Sequence, residues 1–582
     1  VKIRGLRIEL GEIENEIARY KGIKNVLVMA FGREIEKYLC AYYTSKEKVD
    51  EDALRESLRR TLPAYMIPSY FIALDDFPAT PAGKIDRKAL PDPQKVLRIR
   101  KTSGHGKTAL SDTQKKMAKV WKQILRVQDI GPADNFFSLG GDSLAVIQVQ
   151  TAILKFGFEI GTQDFYELQT LQAICDNIDN KIRSKAKTVS RIEKFALLEK
   201  NKPAPYFAPD ARPADLSCVL LTGANGFLGA HILSELAFLY NSSVYCIMRA
   251  DCDEEAREKL RISLSFYFGP DGAQKLLENV RVVRGNIALA RLGIAEEAER
   301  EIAREVKTVI HCAALTSHYG MSEEFERTNV IGTENVADFC LNENKLLLHI
   351  STMSVAGSRV ANDSDRIFKF DENCYYIGQE YADNEYRKSK FLAEAVVLKA
   401  QKEGLAARIF RAGNLTARMD GKFQMTPSSN AFASRIVSIF RIGAVPAELA
   451  DWQMEFTPVD LCAKAILLLS ARSGKKPFAY HILNPNTLAF KTFAEMVGSV
   501  AHPPAFVEKN EFNRLVLSYS RKRKGEMLSG IINDIVKRDT ERSNLMILSE
   551  TTQAELNDAG FGWPVLDEAY LTRYMNVIYK QP

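Results

Sequence analysis

The sequence predicts a multidomain α/β protein: a small α+β subdomain, a four-helix bundle, then a doubly wound parallel sheet with a smaller C-terminal subdomain. Three observations predict it. Proline-bearing, charged breaks divide the 582 residues near 93–107 and 186–214. Each proline lacks an N–H and restricts its predecessor, so long helix does not run through them. Between the breaks, apolar residues recur at helical spacing. After the second break, β-rich apolar runs alternate with helical stretches, the pattern of a parallel sheet with crossover helices. The units are therefore 1–92, 108–185 and 215–582, with 93–107 and 186–214 as linkers.

Bulk properties exclude several classes. An apolar fraction of 46% and a charged fraction of 26% are those of ordinary globular domains. The net charge of +6 is modest and no basic stripe interleaves with aromatics, so nucleic acid is not an expected partner. No apolar run reaches the roughly 18 residues that suggest a membrane span. The chain begins "VKIRGLRIEL", without an initiator Met or a signal-peptide pattern, and reads as a piece of a longer protein. Nine scattered cysteines include no C-x-x-C pair, which argues against a metal site and a disulfide framework and fits a reducing, cytoplasmic setting. A monomer is expected.

In the first unit, "IRGLRIELGEIENEIARY" alternates and then turns helical from Ile13 to Ile17. "KNVLVMAFGREIEKYLCAYYT" reads as a strand hairpin, and "VDEDALRESLRRTLP" as a helix ended by Pro63. "MIPSYFIALDDFPATPAGKIDRKAL" adds a strand and a glycine turn that presents Lys84. On residue chemistry alone Lys84 is a solvated loop cation. The motifs "VKIRGLRIELGEIE" and "PAGKIDRKAL" resemble the C-terminal subdomain of a nonribosomal peptide synthetase adenylation domain. The resemblance implies that Lys84 contacts the acyl-adenylate as a point charge. It also implies that the large ATP- and amino-acid-binding subdomain is missing, so adenylation is not expected from these residues alone.

In the second unit, "SDTQKKMAKVWKQILRV" sets Met117, Val120, Trp121, Ile124 and Leu125 on one helical stripe behind a capping-box-like "SDTQ". A loop through "DIGPADNFFSLGG" leads to a second helix from Ser143, and "DFYELQTLQAICDNI" supplies two more helical runs. Ser143 can be read as a helix cap. The run Asn135, Phe136, Phe137, Gly140, Gly141, Asp142, Ser143, Leu144 resembles the signature of a peptidyl carrier protein. The resemblance implies a 4′-phosphopantetheine arm on Ser143, installed by a phosphopantetheinyl transferase. A helix N-terminus tolerates the phosphodiester well. The paired glycines are expected to clear space for the modifying enzyme.

In the third unit, "LSCVLLTGANGFLGAHILSELAFL" is strand, glycine turn, helix, spaced Gly223-x-x-Gly226-x-x-Gly229. That context marks a Rossmann-type dinucleotide site, with Thr222, Gly223, Asn225, Gly226, Phe227, Leu228 and Gly229 around the pyrophosphate. The next strand, "SSVYCIMRA", ends in Arg249 rather than an acid. A guanidinium suits a 2′-phosphate, so NADPH is expected over NADH. Lys259 is a second candidate for that phosphate, or a solvated helix charge. "VRVVRGNIA" and "VKTVIHCAALTSHYG" read as further strands, putting Asn286, Ile287 and Ala313 beside the cofactor. His318 lines the substrate entrance or is structural. "LLLHISTMSVAG" ends a strand at Thr352, and "NEYRKSKFLAEAVV" places Tyr386 and Lys390 on one helical face. There the charge of Lys390 is expected to lower the Tyr386 pKa.

The order "TGANGFLG", "STMSVAG", "YRKSK", "RAGNLTARMDGKFQ", "FTPVD" resembles the extended short-chain dehydrogenase/reductase group, and within it the thioester reductase domains of peptide synthetases. The resemblance implies that an aminoacyl or peptidyl thioester on the neighbouring carrier arm is reduced by NADPH. The product is an aldehyde, or an alcohol after a second reduction. Tyr386 and Thr352 would serve the carbonyl oxygen, and Lys390 the nicotinamide ribose. Residues about 215–485 would bind NADPH, and those after about 487 would form the substrate subdomain. Upstream adenylation and condensation domains are the implied partners, in secondary metabolite biosynthesis. Two other readings stay open: a single-amino-acid reductase resembling aminoadipate reductase, and a redox-inactive domain that only binds the acyl carrier.

Overall fold

A computed structural model describes residues 10–31, 38–45, 70–78, 110–125, 130–153 (except 138, 140 and 142), 168–186, 191–200, 213–316, 322–357, 367–379, 384–474, 477–522 and 545–580, with shorter stretches between. They divide into two compact units, Val1–Ser184 with Leu517–Met527, and Lys185–Val516 with Leu528–Pro582. No helix among the described residues is long and apolar enough to cross a membrane.

In the first unit a short antiparallel pair, Lys2–Ile3 with Leu6–Arg7, precedes helix α1 (Leu10–Ala18), which lies against a three-stranded sheet. The expected hairpin is present: β1 (Ile23–Phe31) pairs antiparallel with β2 (Tyr38–Ser45), and β3 (Tyr70–Leu74) adds parallel to β2. Ile13 and Ile17 of α1 are fully buried against this sheet. Lys84 lies outside the described residues, as does most of the helix expected before Pro63.

The helical bundle follows as α2 (Asp112–Leu125), α3 (Ser143–Ile153) and α4 (Leu171–Ala186), with a short helical stretch at Asp164, Phe165 and Leu168. The capping box forms in both directions. Ser111 N–H donates to Gln114 Oε1 at 3.0 Å, and Gln114 N–H donates to Ser111 Oγ at 3.2 Å, so two orphan amides are satisfied reciprocally. Trp121 packs edge-on against Phe136 at 4.9 Å, and Phe136 against Phe165 at 5.0 Å. Burying each such ring is worth about 1.5–3 kcal/mol.

In the second unit seven parallel strands form one sheet: β4 (Cys218–Thr222), β5 (Ser243–Met248), β6 (Val280–Arg284), β7 (Thr308–His311), β8 (Leu346–Thr352), β9 (Ala407–Ala412) and β10 (Ala479–Ile482). Their spatial order is β6-β5-β4-β7-β8-β9-β10, a doubly wound sheet that reverses between β4 and β7. Side chains alternate between two cores, as a strand period of two requires. Val219 and Leu221 join α6 (Phe227–Leu239), α7 (Asp253–Leu277) and α11 (Val459–Ser470) on one face. Leu220 joins α8 (Gly332–Asn342) and α9 (Glu385–Lys402) on the other.

Two sequence expectations need correcting. The linker 186–214 is not continuous slack, because α5 (Arg191–Leu198) lies within it and packs on α9. Ala196 is fully buried there, Lys402 Nζ meets Glu199 at 2.8 Å, and Lys388 meets Glu193 at 3.1 Å. The prolines lie after residue 202, so they do not prevent a helix at 191–198. Nor does the smaller subdomain begin at 487. Strand Ala444–Pro446 pairs with Ala505–Val507, and Gln453–Met454 with Leu488–Ala489. Helix α10 (Ala431–Ile442) also packs on α13 (Glu568–Tyr579). Conversely, α12 (Glu550–Asp558) returns to the main sheet, where Thr552 Oγ1 accepts from His481 N–H at 3.0 Å.

Candidate functional site

The glycine turn links β4 to α6 beside the point where strand order reverses, the position at which doubly wound folds bind dinucleotides. Its glycines are enforced by contact. Gly223 has φ +76°, and a Cβ there would lie 2.7 Å from the Ala313 amide nitrogen. A Cβ on Gly229 would lie 2.0 Å from the Gly223 carbonyl oxygen. Gly226 caps α6 without any side-chain hydrogen bond, leaving the helix N-terminus to an anion. Gly229→Ala is expected to destabilise this unit by about 1–3 kcal/mol, since backbone has to move to admit the methyl group. Affinity for a nicotinamide dinucleotide should fall with it, as read by thermal melting and nucleotide fluorescence. An unchanged melt with unchanged affinity would contradict the contact.

The other residues expected around the cofactor divide by what they touch. The Thr222 hydroxyl is taken by His311 Nδ1 at 2.8 Å and accepts from Ala313 N–H at 3.2 Å, so it ties the turn to β7. Leu228 and Ile287 send their side chains into the two cores. Asn225 is exposed, and its carbonyl accepts from Ser263 Oγ at 2.9 Å. Asn286 Oδ1 accepts from Ala288 N–H at 3.0 Å and fixes its own loop. Arg249 is exposed just past β5. Lys259 is paired with Glu255 at 2.7 Å and donates to the Arg249 carbonyl at 3.2 Å, so it braces the loop. Sequence reasoning missed Arg284, the last residue of β6, in register with Met248 and donating to the Asp251 carbonyl at 2.7 Å. It brings a second guanidinium to the strand ends that carry Arg249, a proximity visible only once β5 and β6 are paired.

Thr352 ends β8, and Tyr386 and Lys390 occupy the first turns of α9. Asn384 caps that helix, accepting from Arg387 N–H at 3.0 Å. The structure brings the three together. Tyr386 and Thr352 share a side-chain hydrogen bond, and Thr352 Oγ1 also accepts from Ser354 N–H at 3.2 Å. Lys390 is buried, and its Nζ donates to the Ile350 carbonyl at 2.8 Å.

The electrostatics differ from the expectation. Burial pushes the Tyr386 hydroxyl up to about 12, opposed by the Thr352 hydrogen bond. Burial likewise brings the Lys390 ammonium down to about 8. Desolvation is the largest cause in both shifts.

Asn329 is a further residue that sequence reasoning missed. It sits in a π-helical turn, Glu326–Ile331, the kind of distortion that recurs at functional sites. Its Nδ2 donates to Ser389 Oγ at 2.8 Å and to the Leu315 carbonyl at 3.0 Å. Ser389 Oγ donates to the Tyr386 carbonyl at 2.9 Å, so Asn329 braces the first turn of α9. "RTNVIGTEN" reads as ordinary helix and gave no signal. His318 lies outside the described residues.

In the bundle, Ser143 is the first residue of α3. Gly141 is required by packing: a Cβ there would lie 2.4 Å from the Phe136 ring.

Comparisons with known proteins agree with this division. Residues 12–84 match the C-terminal domain of AMP-binding enzymes, 115–178 the phosphopantetheine attachment site, and 221–466 the NAD-binding family described as male sterility protein. A linear gramicidin synthase of Brevibacillus parabrevis is 28% identical over 99% of this chain and 11% of its own length. Glycine betaine reductase ATRR of Emericella nidulans is 26% identical over 86% of this chain and 41% of its own length. The chain thus spans less than half of either relative. Among solved structures, a thiolation–reductase di-domain from an archaeal non-ribosomal peptide synthetase superposes with a TM-score of 0.61 at 28% identity, covering 81% of this chain and 98% of that one. The reductase domain of the aureusimine biosynthetic cluster does so at 0.56 and 26% identity, covering 67% and 98%.

Proposed function

We propose, for a chain that carries the thiolation and reductase domains of a nonribosomal peptide synthetase, that it reduces a carrier-bound aminoacyl or peptidyl thioester with NADPH and releases an aldehyde. The observation that carries the reading is the Thr352–Tyr386–Lys390 set at the carboxyl end of the sheet beside the glycine turn, in a chain that also has a phosphopantetheine attachment domain. Two features support a dinucleotide there: Gly226 opens α6 without a side-chain cap, so the backbone N–H groups of the helix N-terminus are available to a pyrophosphate, and Arg249 with Arg284 suits a 2′-phosphate.

NADPH supplies the hydride that reduces the thioester carbonyl. Tyr386, protonated up to about pH 12, donates a hydrogen bond and then its proton to the carbonyl oxygen as negative charge develops there. Thr352 supports the same oxygen and fixes the Tyr386 hydroxyl. Lys390 holds the nicotinamide ribose. The product is a hemithioacetal; its C–S bond breaks to leave an aldehyde, the sulfur departing as the free thiol of the arm.

The test is NADPH oxidation, followed by absorbance, with an acyl-pantetheine thioester, and mass spectrometry for the aldehyde. NADPH consumption stoichiometric with aldehyde is expected, with NADPH preferred over NADH. Arg249→Glu should lower kcat/KM for NADPH by about 10- to 100-fold, the scale of one charge-assisted hydrogen bond, and leave that for NADH nearly unchanged. No consumption across a broad thioester panel would instead favour a domain that only binds the acyl carrier.

A further inference from the structure

The helix that carries Tyr386 and Lys390 bears a third polar residue on the same stripe. Tyr386, Lys390 and Glu394 succeed one another at four-residue spacing on α9. Glu394 is fully buried, and two neighbouring strands grip its carboxylate. Oε1 accepts from Ser351 Oγ at 2.5 Å and from Arg411 Nε at 3.0 Å, and Oε2 accepts from an Arg411 terminal nitrogen at 2.7 Å. Ser351 immediately precedes Thr352 on β8, and Arg411 is its register partner on β9.

Arg411 is itself fully buried and is held from its far side by His481 Nε2 at 3.1 Å. His481 Nδ1 meets the Leu548 carbonyl at 2.6 Å. A carbonyl requires Nδ1 to donate and a guanidinium requires Nε2 to accept, so His481 is the neutral Nδ1–H tautomer. Burial, which brings its pKa down to about 3, keeps it so.

A buried ion pair is weak evidence for stability, since apolar residues of similar volume often serve as well. An apolar pair cannot supply a negative potential at Lys390. The groups that face this ammonium are Glu394 on its own helix, Cys312 and His311 from β7 and its end, and His349 from β8. Both imidazoles are held neutral by burial, and the Cys312 thiol is pushed up to about 12. Glu394, paired with the Arg411 guanidinium at 2.7 Å, is the carboxylate of this group.

We propose that Glu394 is a positioning residue for the reduction: clamped by Arg411 and Ser351, it is the buried counter-charge of the Lys390 ammonium, and through Ser351 it fixes the strand end that presents Thr352. The inference rests on the thioester-reduction reading above. Glu394 opposes the desolvation that lowers the Lys390 pKa to about 8, so its loss should let the ammonium deprotonate nearer neutrality.

The test uses the full chain bearing Glu394→Gln, with folding checked by circular dichroism. Two pH profiles are read: thioester-dependent NADPH oxidation, and NADPH binding by fluorescence. In the variant both alkaline limbs should move down by about one pH unit or more, the usual effect of one nearby charge, so that turnover at pH 8 falls about fivefold or more while that at pH 6 falls far less. A folded variant with wild-type profiles overturns the proposal. If Glu394→Gln does not fold because Arg411 is left unpaired, Glu394→Gln with Arg411→Met removes both charges and should displace both limbs in the same direction by a smaller amount, because a nearby cation is lost with the anion. If neither yields folded protein, Ser351→Ala decides: kcat should fall with KM for NADPH unchanged, and an unaltered kcat rejects the positioning role. A wild-type chain that binds NADPH but reduces no thioester sinks the parent reading alone, because the binding profile still tests Glu394.

Discussion

Replacing Tyr386 with phenylalanine is expected to slow thioester-dependent NADPH oxidation by about 100-fold or more, the scale on which positioned acid–base groups act. The ring and its packing are kept, so the loss should appear in kcat with NADPH affinity nearly unchanged. Desolvation holds the Tyr386 proton to about pH 12, so this group is an intact donor across any practical pH range. It therefore sets the height of the pH profile and not its alkaline edge. That edge is expected from Lys390, whose ammonium burial brings down to about 8. Wild-type turnover should decline as pH rises through that region, and Tyr386→Phe should show the same edge on a plateau about two orders of magnitude lower. A near-wild-type rate in the variant would remove Tyr386 from the chemistry. A wild-type edge that vanished with the hydroxyl would reassign it from Lys390 to Tyr386.

The sequence made the strand and turn chemistry legible because those signals are local. The continuous β-rich apolar runs "CVLLT" and "VYCIM" mark buried strands, whose side chains the structure sends to opposite cores, and the glycine triplet marks its own turn. The same holds for the Ser111–Gln114 capping box, three residues apart. What escaped is set by pairing between distant segments. Arg284 reaches the Arg249 strand end only because β5 and β6 align, and Glu394 meets Arg411 only because α9 crosses β9. The direction of the Tyr386 shift was misjudged for a related reason. Four-residue spacing shows that two side chains share a face, but not how deeply both are desolvated. The helix 191–198 was obscured by the proline-rich stretch that follows it, although its Ala196 is buried and its Ile192 and Phe195 pack half-buried on the same core.

Ser143→Ala is expected to abolish covalent loading outright while leaving the chain folded and its reductase competent. Treatment with a phosphopantetheinyl transferase and coenzyme A should add the phosphopantetheine mass to the Ser143 peptide of the wild type and none to the variant. Structural cost does not confuse this result. Ser143 is the first residue of α3, where alanine is a good helix former, and losing a serine oxygen at a helix start typically costs only about 1 kcal/mol. The bundle rests instead on Trp121, Phe136 and Phe165, all fully buried. Gly141 likewise serves that core by letting the Phe136 ring approach. The decisive comparison uses two substrates. A thioester delivered on the carrier arm requires Ser143, so its reduction should vanish in the variant. A free acyl-pantetheine thioester bypasses the arm, so its reduction should persist at the wild-type rate and still depend on Tyr386. Loss of both activities would mean that the substitution acts through folding. Persistence of both would mean that the arm is attached elsewhere. Only loss of the first with retention of the second assigns Ser143 to delivery and the Thr352–Tyr386–Lys390 set to chemistry.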